Sequence, residues 1–522
     1  MYDLVLTNGL VVDGSRGKPY TASVCIREGK IARITRDRVE ALETVDVAGL
    51  AVTPGFIDTH THSDTSHLRP YPVESQVAQG VTTELAGNCG TSVMPATAQR
   101  KEDLDAHMRR RKGSDCFLSV SDYAAAGNEM GACLNYGTLI GHSTLRLAVM
   151  GFVNRDPEPE EMEQLKALLE QELQRGAFGM SLGLIYPPSA FCKTWELVEL
   201  AKVVARYDGI LAVHMRNEGP RLFEAVEEML GIARASGVHV HISHLKLMGK
   251  PQWGKHPRLL KMLTDARAEG LNITCDQYPF PASSTSLSAL VPHWAHEGGA
   301  EELVRRLEAR EGDICQGIAR EMENRGGPGA ILVANTYGSN TQWQGKYISQ
   351  LMEELGLDAV ETVRHVLIHC GGRAFCVYFS MSREDMLAIM GQLFICVGSD
   401  GESLSHDREN TPYVPHPRYF SAFSRFYQTV REEKLMPLED AVYKTTALPA
   451  GVLGLRTKGL LKEGMDADIA VFDPEQFASR SDFLESRARP VGMQHVLVAG
   501  KFVIRDGGST GAKPGRVILK KA

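Results

Sequence analysis

Short apolar runs alternate with segments of helical period through the middle of this chain, and no other pattern in it restricts the fold as tightly. Between residues 160 and 175, Met162, Leu165, Leu168, Leu169 and Leu173 fall on one helical face. Strand-like runs centre on Phe56 to His62, Val81 to Ala86, Asn135 to His142, Ala177 to Gly183, Ile210 to His214, Val238 to His244, Leu271 to Tyr278 and Phe394 to Asp400. Strands separated by helices pair in parallel, and eight of them close into a barrel. The expected fold is therefore α/β, with a (β/α)8 TIM-like barrel over residues 53–450. The interval from about 283 to 392 is too long for an ordinary connection. It is expected to be a helical insertion before the last barrel strand that covers part of the barrel mouth.

The chain ends read differently. Residues 2 to 52 are short strands broken by the turn dipeptides Asn8-Gly9, Asp13-Gly14 and Glu28-Gly29, and Ala467 to Phe472 and His495 to Val498 continue that pattern near the other end. Residues 1–52 and 451–522 should form one small β-sandwich domain. At 522 residues the chain has room for both units. Its 57 basic and 64 acidic residues give a net charge of -7 without a long run of either sign, which argues against nucleic acid or an anionic membrane as a partner. No stretch has ~18 uninterrupted apolar residues. The ten cysteines are scattered rather than regularly spaced, so they read as free thiols in a cytoplasmic protein.

Functional side chains on such a barrel belong at the C-terminal ends of its strands, where the βα loops open. His60 and His62 close the first strand, and their i, i+2 spacing sends both imidazoles to one side. Cys89 follows the second strand, His214 closes the fifth, His244 the sixth and Asp400 the eighth. Imidazole, thiolate and carboxylate together are a ligand set that zinc favours, and bound metal lowers the pKa of a coordinated water. A carboxylate such as Asp400 can take that proton and return it to a leaving group. This chemistry is metal-assisted hydrolysis. His142 also ends a strand and is expected near the metals as a hydrogen-bonding residue; His239 and His241 should point to the opposite or a deeper layer.

Pro54-Gly55-Phe56-Ile57-Asp58-Thr59-His60-Thr61-His62 resembles the first-strand signature of the amidohydrolase superfamily. Within it, the chain is most similar to the N-acyl-D-amino-acid deacylases, or D-aminoacylases, over essentially its full length. Gly80-Val81-Thr82-Thr83-Glu84 leading into Gly87-Asn88-Cys89-Gly90 carries the resemblance most specifically. Ser243-His244-Leu245-Lys246, Asp276-Gln277-Tyr278-Pro279-Phe280, Gly398-Ser399-Asp400-Gly401 and His416-Pro417-Arg418 support it. The resemblance implies one tightly held zinc on Cys89, His214 and His244, and a weaker second site on His60, His62 and Asp400. It also implies that Lys246, Tyr278, Ser284 and Arg418 hold the α-carboxylate of a small N-acyl-D-amino acid substrate, with Asp400 as the catalytic acid and base.

Relatives that act on acyl-D-glutamate place an additional arginine soon after the Tyr-Pro segment. Residues 285–294 here contain none, which leads to the expectation of neutral or hydrophobic substrate side chains, unless His293 or the insertion supplies a charge. Two alternatives stand beside this reading. One is another amidohydrolase, acting on a cyclic amide, a dipeptide or an acylated natural product; the fourth strand lacks the lysine that cyclic-amide enzymes carboxylate. The other is a catalytically inactive amidohydrolase-like scaffold.

Overall fold

The computed structural model describes residues 1–521. The barrel strands are β1 (Phe56–Asp58), β2 (Val81–Ala86), β3 (Asn135–Thr138, resuming at Ile140–Gly141), β4 (Gly179–Gly183), β5 (Ile210–His214), β6 (His239–Ile242), β7 (Ile273–Gln277) and β8 (Ile395–Val397). Neighbours pair in parallel from β1 through β3, and again from the second half of β3 through β8. A parallel bridge between Thr61 and Gly401 closes the ring just past the ends of β1 and β8. Strands covered on both faces have no polar side to expose. Accordingly every residue of β2, β4, β5, β7 and β8 is buried.

The helices that cover the barrel are amphipathic. Pro159–Gln174 starts at a Glu158–Glu161 capping box and buries Met162, Leu165, Leu169 and Leu173. Leu168, expected on the same face, is half-buried and packs at its edge. Together the helices and strands enclose one large apolar core, to which the barrel contributes Leu182, Leu211, Val240 and Ile273.

Both chain ends feed one nine-stranded sheet. Ile469–Phe472 pairs antiparallel with Ala51–Pro54 and so joins the two halves. Tyr2–Val11 carries a register shift between Leu6 and Gly9, with Ala41–Asp46 beside its first half and Ala51–Pro54 beside its second. Side chains from both halves, including Leu4, Val24, Ile31, Ile469 and Leu497, share one core. The sandwich is thus a single sheet folded over itself rather than two separate sheets. Beyond this sheet, Gly515 and Val517 bridge to Ala132 and Tyr136 beside β3, and the Lys520 amide donates to Gly176 O at 2.8 Å.

The insertion is not built from helices alone. Its helices Ala300–Ala309, Ile314–Asn324, Ile348–Leu355 and Ala359–His369 pack around a three-stranded antiparallel sheet of Ser283–Ser286, Phe375–Tyr378 and Ile331–Asn335. Leu303, Leu307, Ile318, Val333, Val363 and Cys376 form a core of its own. The strand Ser283–Ser286 has no apolar alternation to announce it, because it lines the cavity above the barrel instead of covering a core. All ten cysteines are free thiols. Among the described residues, no helix is long and apolar enough to cross a membrane.

Candidate active site

The loop after β2 is fixed before any ligand is considered. The Ser181 hydroxyl accepts from Gly90 N at 3.0 Å, and the Asn88 amide donates to Leu85 O at 2.9 Å. A Cβ on Gly90 would stand 2.6 Å from Gly183 N, so only glycine lets the loop lie against the end of β4. Cys89 is held there with φ 51°, His244 has φ 38° and Asp400 φ 48°. Left-handed backbone at three non-glycine positions is costly, about 1–3 kcal/mol each, and it aims three side chains at one point.

At that point Cys89 Sγ lies 3.3 Å from His60 Nε2, 3.6 Å from His244 Nε2 and 3.8 Å from His214 Nδ1. Asp400 Oδ1 is 3.5 Å from His60 Nε2 and 2.9 Å from His62 Nε2. One ligand atom from each of His60, Cys89, His244 and Asp400 falls within 4.8 Å of all the others, and His214, Glu218 and His244 form a second such group. The two groups share His244. The sequence resemblance divides the ligands into two triads, whereas the geometry groups His60 and Asp400 with Cys89 and leaves His62 on the outer side of Asp400.

Electrostatics favour a cation here. Burial pushes the Cys89 thiol up, but His60 and the hydrogen bonds from His214 and His244 outweigh it and hold the thiol well below its usual range. Burial pulls the His60 imidazole down, yet Asp276 and Cys89 raise it well above the ordinary value. A buried thiolate and carboxylate thus draw positive charge onto the imidazoles, the charge a divalent ion supplies. Soft sulfur with nitrogen and one carboxylate oxygen suits zinc.

Two residues complete the site without having been singled out from the sequence. Asp276 at the end of β7 accepts from the His244 amide at 2.8 Å, and its Oδ2 lies 3.2 Å from His60 Nδ1 and 3.0 Å from His241 Nε2. Glu218 contacts His244 Nδ1 at 3.0 Å and Lys246 Nζ at 2.5 Å. Carboxylates behind imidazole ligands fix ring orientation. Asp276 could have been found from its place in the Asp-Gln-Tyr-Pro segment, whereas Glu218 lies in the irregular loop after β5, where spacing gives no signal.

The groups expected to bind carboxylate line the same cavity of about 850 Å³. Arg418 Nη1 lies 2.8 Å from Asp400 Oδ2, and its guanidinium sits 4.9 Å from the centre of the Tyr278 ring. The Tyr278 hydroxyl is buried and has no hydrogen-bond partner, as a donor kept for a ligand would. Ser284 lines the cavity too, but its hydroxyl donates to Cys376 O at 3.0 Å across the insertion sheet. His142 is not at the centre: its ring bonds Ser189 and Glu196, each at 2.8 Å, because the barrel strand ends before it and a helix begins there. His239 and His241 both face Thr274 deeper in the barrel, at 2.7 and 2.8 Å.

Residues 285–294 bring no arginine to the cavity. His293 reaches the cavity wall, where burial pulls its imidazole below 6.5 and keeps it neutral. The insertion, however, brings Arg325 into the wall from the end of Ile314–Asn324.

The amidohydrolase family pattern matches residues 43–320 and 401–504. The chain belongs to the amidohydrolase family. D-aminoacylase of Alcaligenes xylosoxydans xylosoxydans is 33% identical over 100% of this chain and 98% of that protein. The N-acyl-D-glutamate deacylase of the same organism is 32% identical over 100% and 97%. A crystal structure of N-acyl-D-glutamate deacylase from Bordetella bronchiseptica, complexed with zinc and a phosphonate that mimics the tetrahedral intermediate, superposes with a TM-score of 0.84 at 31% identity, covering 99% of each chain. Within the amidohydrolases the chain therefore falls among the N-acyl-D-amino-acid deacylases, and it is a metal-dependent hydrolase of amide bonds. A D-hydantoinase structure, at 16% identity and a TM-score of 0.57, shares the fold alone.

Proposed function

We propose that this amidohydrolase uses zinc to hydrolyse N-acyl-D-amino acids to a carboxylate and a free D-amino acid. The observation that carries the reading is the convergence of Cys89, His60, His244 and Asp400 beside Arg418 and Tyr278, in a chain that aligns end to end with curated deacylases. Zinc would be held tightly by Cys89, His214 and His244, with a weaker second position on His60, His62 and Asp400. When bound there it supplies a Lewis acid for the scissile carbonyl and a lower pKa for the attacking water.

The chain's own residues do the rest. Lys246, Arg418 and the unpartnered Tyr278 hydroxyl hold the α-carboxylate of the substrate. Ser284 joins them by turning its hydroxyl proton from Cys376 O to the substrate carboxylate. Burial would raise the Asp400 carboxyl, but Arg418 above all, then His244 and His62, hold it well below the usual carboxylate range, so it stays ionised. Arg418 drawn onto the substrate carboxylate weakens its hold on Asp400, which couples substrate binding to a stronger base. Asp400 then accepts the proton of the attacking water and delivers it to the departing amine. With the carboxylate fixed, only one enantiomer presents its amide to the centre. The setting is read as cytoplasmic, supported by ten unpaired thiols.

The test is a hydrolysis panel of N-acyl-D- and N-acyl-L-amino acids, run with and without added zinc. Turnover is expected for D-substrates only and with zinc only; equal rates for N-acetyl-D-leucine and its L-enantiomer would reject the reading.

A further inference from the structure

Three cationic side chains in the cavity wall are more than nine-tenths buried: Lys246, Arg418 and Arg325. Lys246 has Glu218 at 2.5 Å and Arg418 has Asp400 at 2.8 Å. Among the described residues, no carboxylate lies within ion-pair distance of Arg325. Its Nε has no hydrogen-bond partner, and its Nη1 meets only the thioether of Met248, at 3.6 Å. The guanidinium lies 4.8 Å from the centre of the Tyr378 ring, whose hydroxyl is already committed to Ser286 O at 3.0 Å. A ring face and a thioether attract a cation without neutralising it. A guanidinium taken out of water and left without a counter-charge is costly to the folded state, and its planar fork matches a carboxylate.

Resting on the deacylase reading, we propose that Arg325 determines specificity by receiving a second carboxylate of the substrate, in addition to the α-carboxylate. That carboxylate belongs either to an acidic side chain, as in N-acyl-D-glutamate or N-acyl-D-aspartate, or to a dicarboxylic acyl group such as succinyl. Arg325, at the end of Ile314–Asn324, lies against Met248 of the loop after β6 and lines the same cavity as Lys246, Tyr278 and Arg418. The 33%, 32% and 32% identities to relatives named for D-amino acids in general, D-glutamate and D-aspartate do not separate these substrates, so the choice rests on the cavity itself.

The experiment measures kcat/KM of the zinc-loaded enzyme for N-acetyl-D-glutamate, N-acetyl-D-aspartate and N-succinyl-D-leucine, each divided by the value for N-acetyl-D-leucine. At least one ratio is expected to exceed unity in the wild type, to fall roughly 10- to 100-fold in Arg325→Met, and to recover in part in Arg325→Lys. Which ratio responds tells a side-chain carboxylate from an acyl one. Ratios below unity for all three in the wild type overturn the proposal even if Arg325→Met fails to fold. So does an Arg325→Met loss that is equal for every substrate, which marks a purely structural arginine. If no D-substrate is hydrolysed, the deacylase reading fails; calorimetric binding of N-acetyl-D-glutamate to wild type and Arg325→Met then decides on Arg325 alone, equal affinity overturning it.

Discussion

Cys89, His244 and Asp400 each occupy left-handed backbone just past a different strand. The His244 amide donates to Asp276 and the Asp400 amide to His60 O, so the latter two conformations are held from β7 and from the segment just past β1. Asp400→Asn keeps this geometry and an oxygen for the metal but removes the base. Turnover should fall by about 10²- to 10⁴-fold while bound zinc and the melting temperature stay near wild type; near-normal turnover would discard the role. At this scale the sequence pointed to His60, His62, Cys89, His214, His244 and Asp400 by their places at or just past strand-like runs, although only His214 lies within a strand and the others are aimed by the backbone that follows one. It did not point to Arg325, since nothing local to Asn324-Arg325-Gly326 says which barrel loop its helix will meet.

Elements show the same division between local and tertiary information. The eight barrel strands follow from buried runs, whereas Ser283–Ser286 pairs as a strand only because Phe375–Tyr378 arrives beside it some ninety residues later. A short 3-10 turn, Ser66–Leu68, carries a different kind of hidden cost. His67 is packed against Tyr123 and Tyr136 with neither ring nitrogen hydrogen-bonded. Burial pulls its imidazole down from 6.5 to about 4, against a smaller opposing pull from Asp64. The unfolded chain therefore takes up this proton near pH 6.5 and the folded one only near pH 4. The contribution is fully present above 6.5 and is lost as pH falls through that window, at up to about 1.4 kcal/mol per pH unit. His67→Phe should flatten the fall of stability between pH 6.5 and 4 in denaturant titrations; an unchanged slope would show that the ring is solvated.

In the whole molecule, the proposed ligand set draws on five places: at or just past the ends of β1, β5, β6 and β8 and the loop after β2. An ion that binds all of them is bound by the folded state only. Zinc at a hundred times its Kd should add about 2.7 kcal/mol to stability. Chelation should accordingly lower the melting temperature and abolish turnover together, and added zinc should restore both; a melting temperature indifferent to zinc would place the ion away from these strands.

The closing of the barrel has one more consequence. The bonds that join β8 to β1 are Asp400 N to His60 O, at 2.9 Å, and His62 N to Gly401 O, at 2.7 Å, so the seam of the ring and the reactive centre are the same few residues. His62 and Asp400 are 338 positions apart. At ribosomal speeds the first histidines wait roughly 20–70 s for the last carboxylate to emerge. With Asp400 in its proposed role, a nascent chain that has yet to extend past it lacks the base, and activity then certifies that the ring has closed.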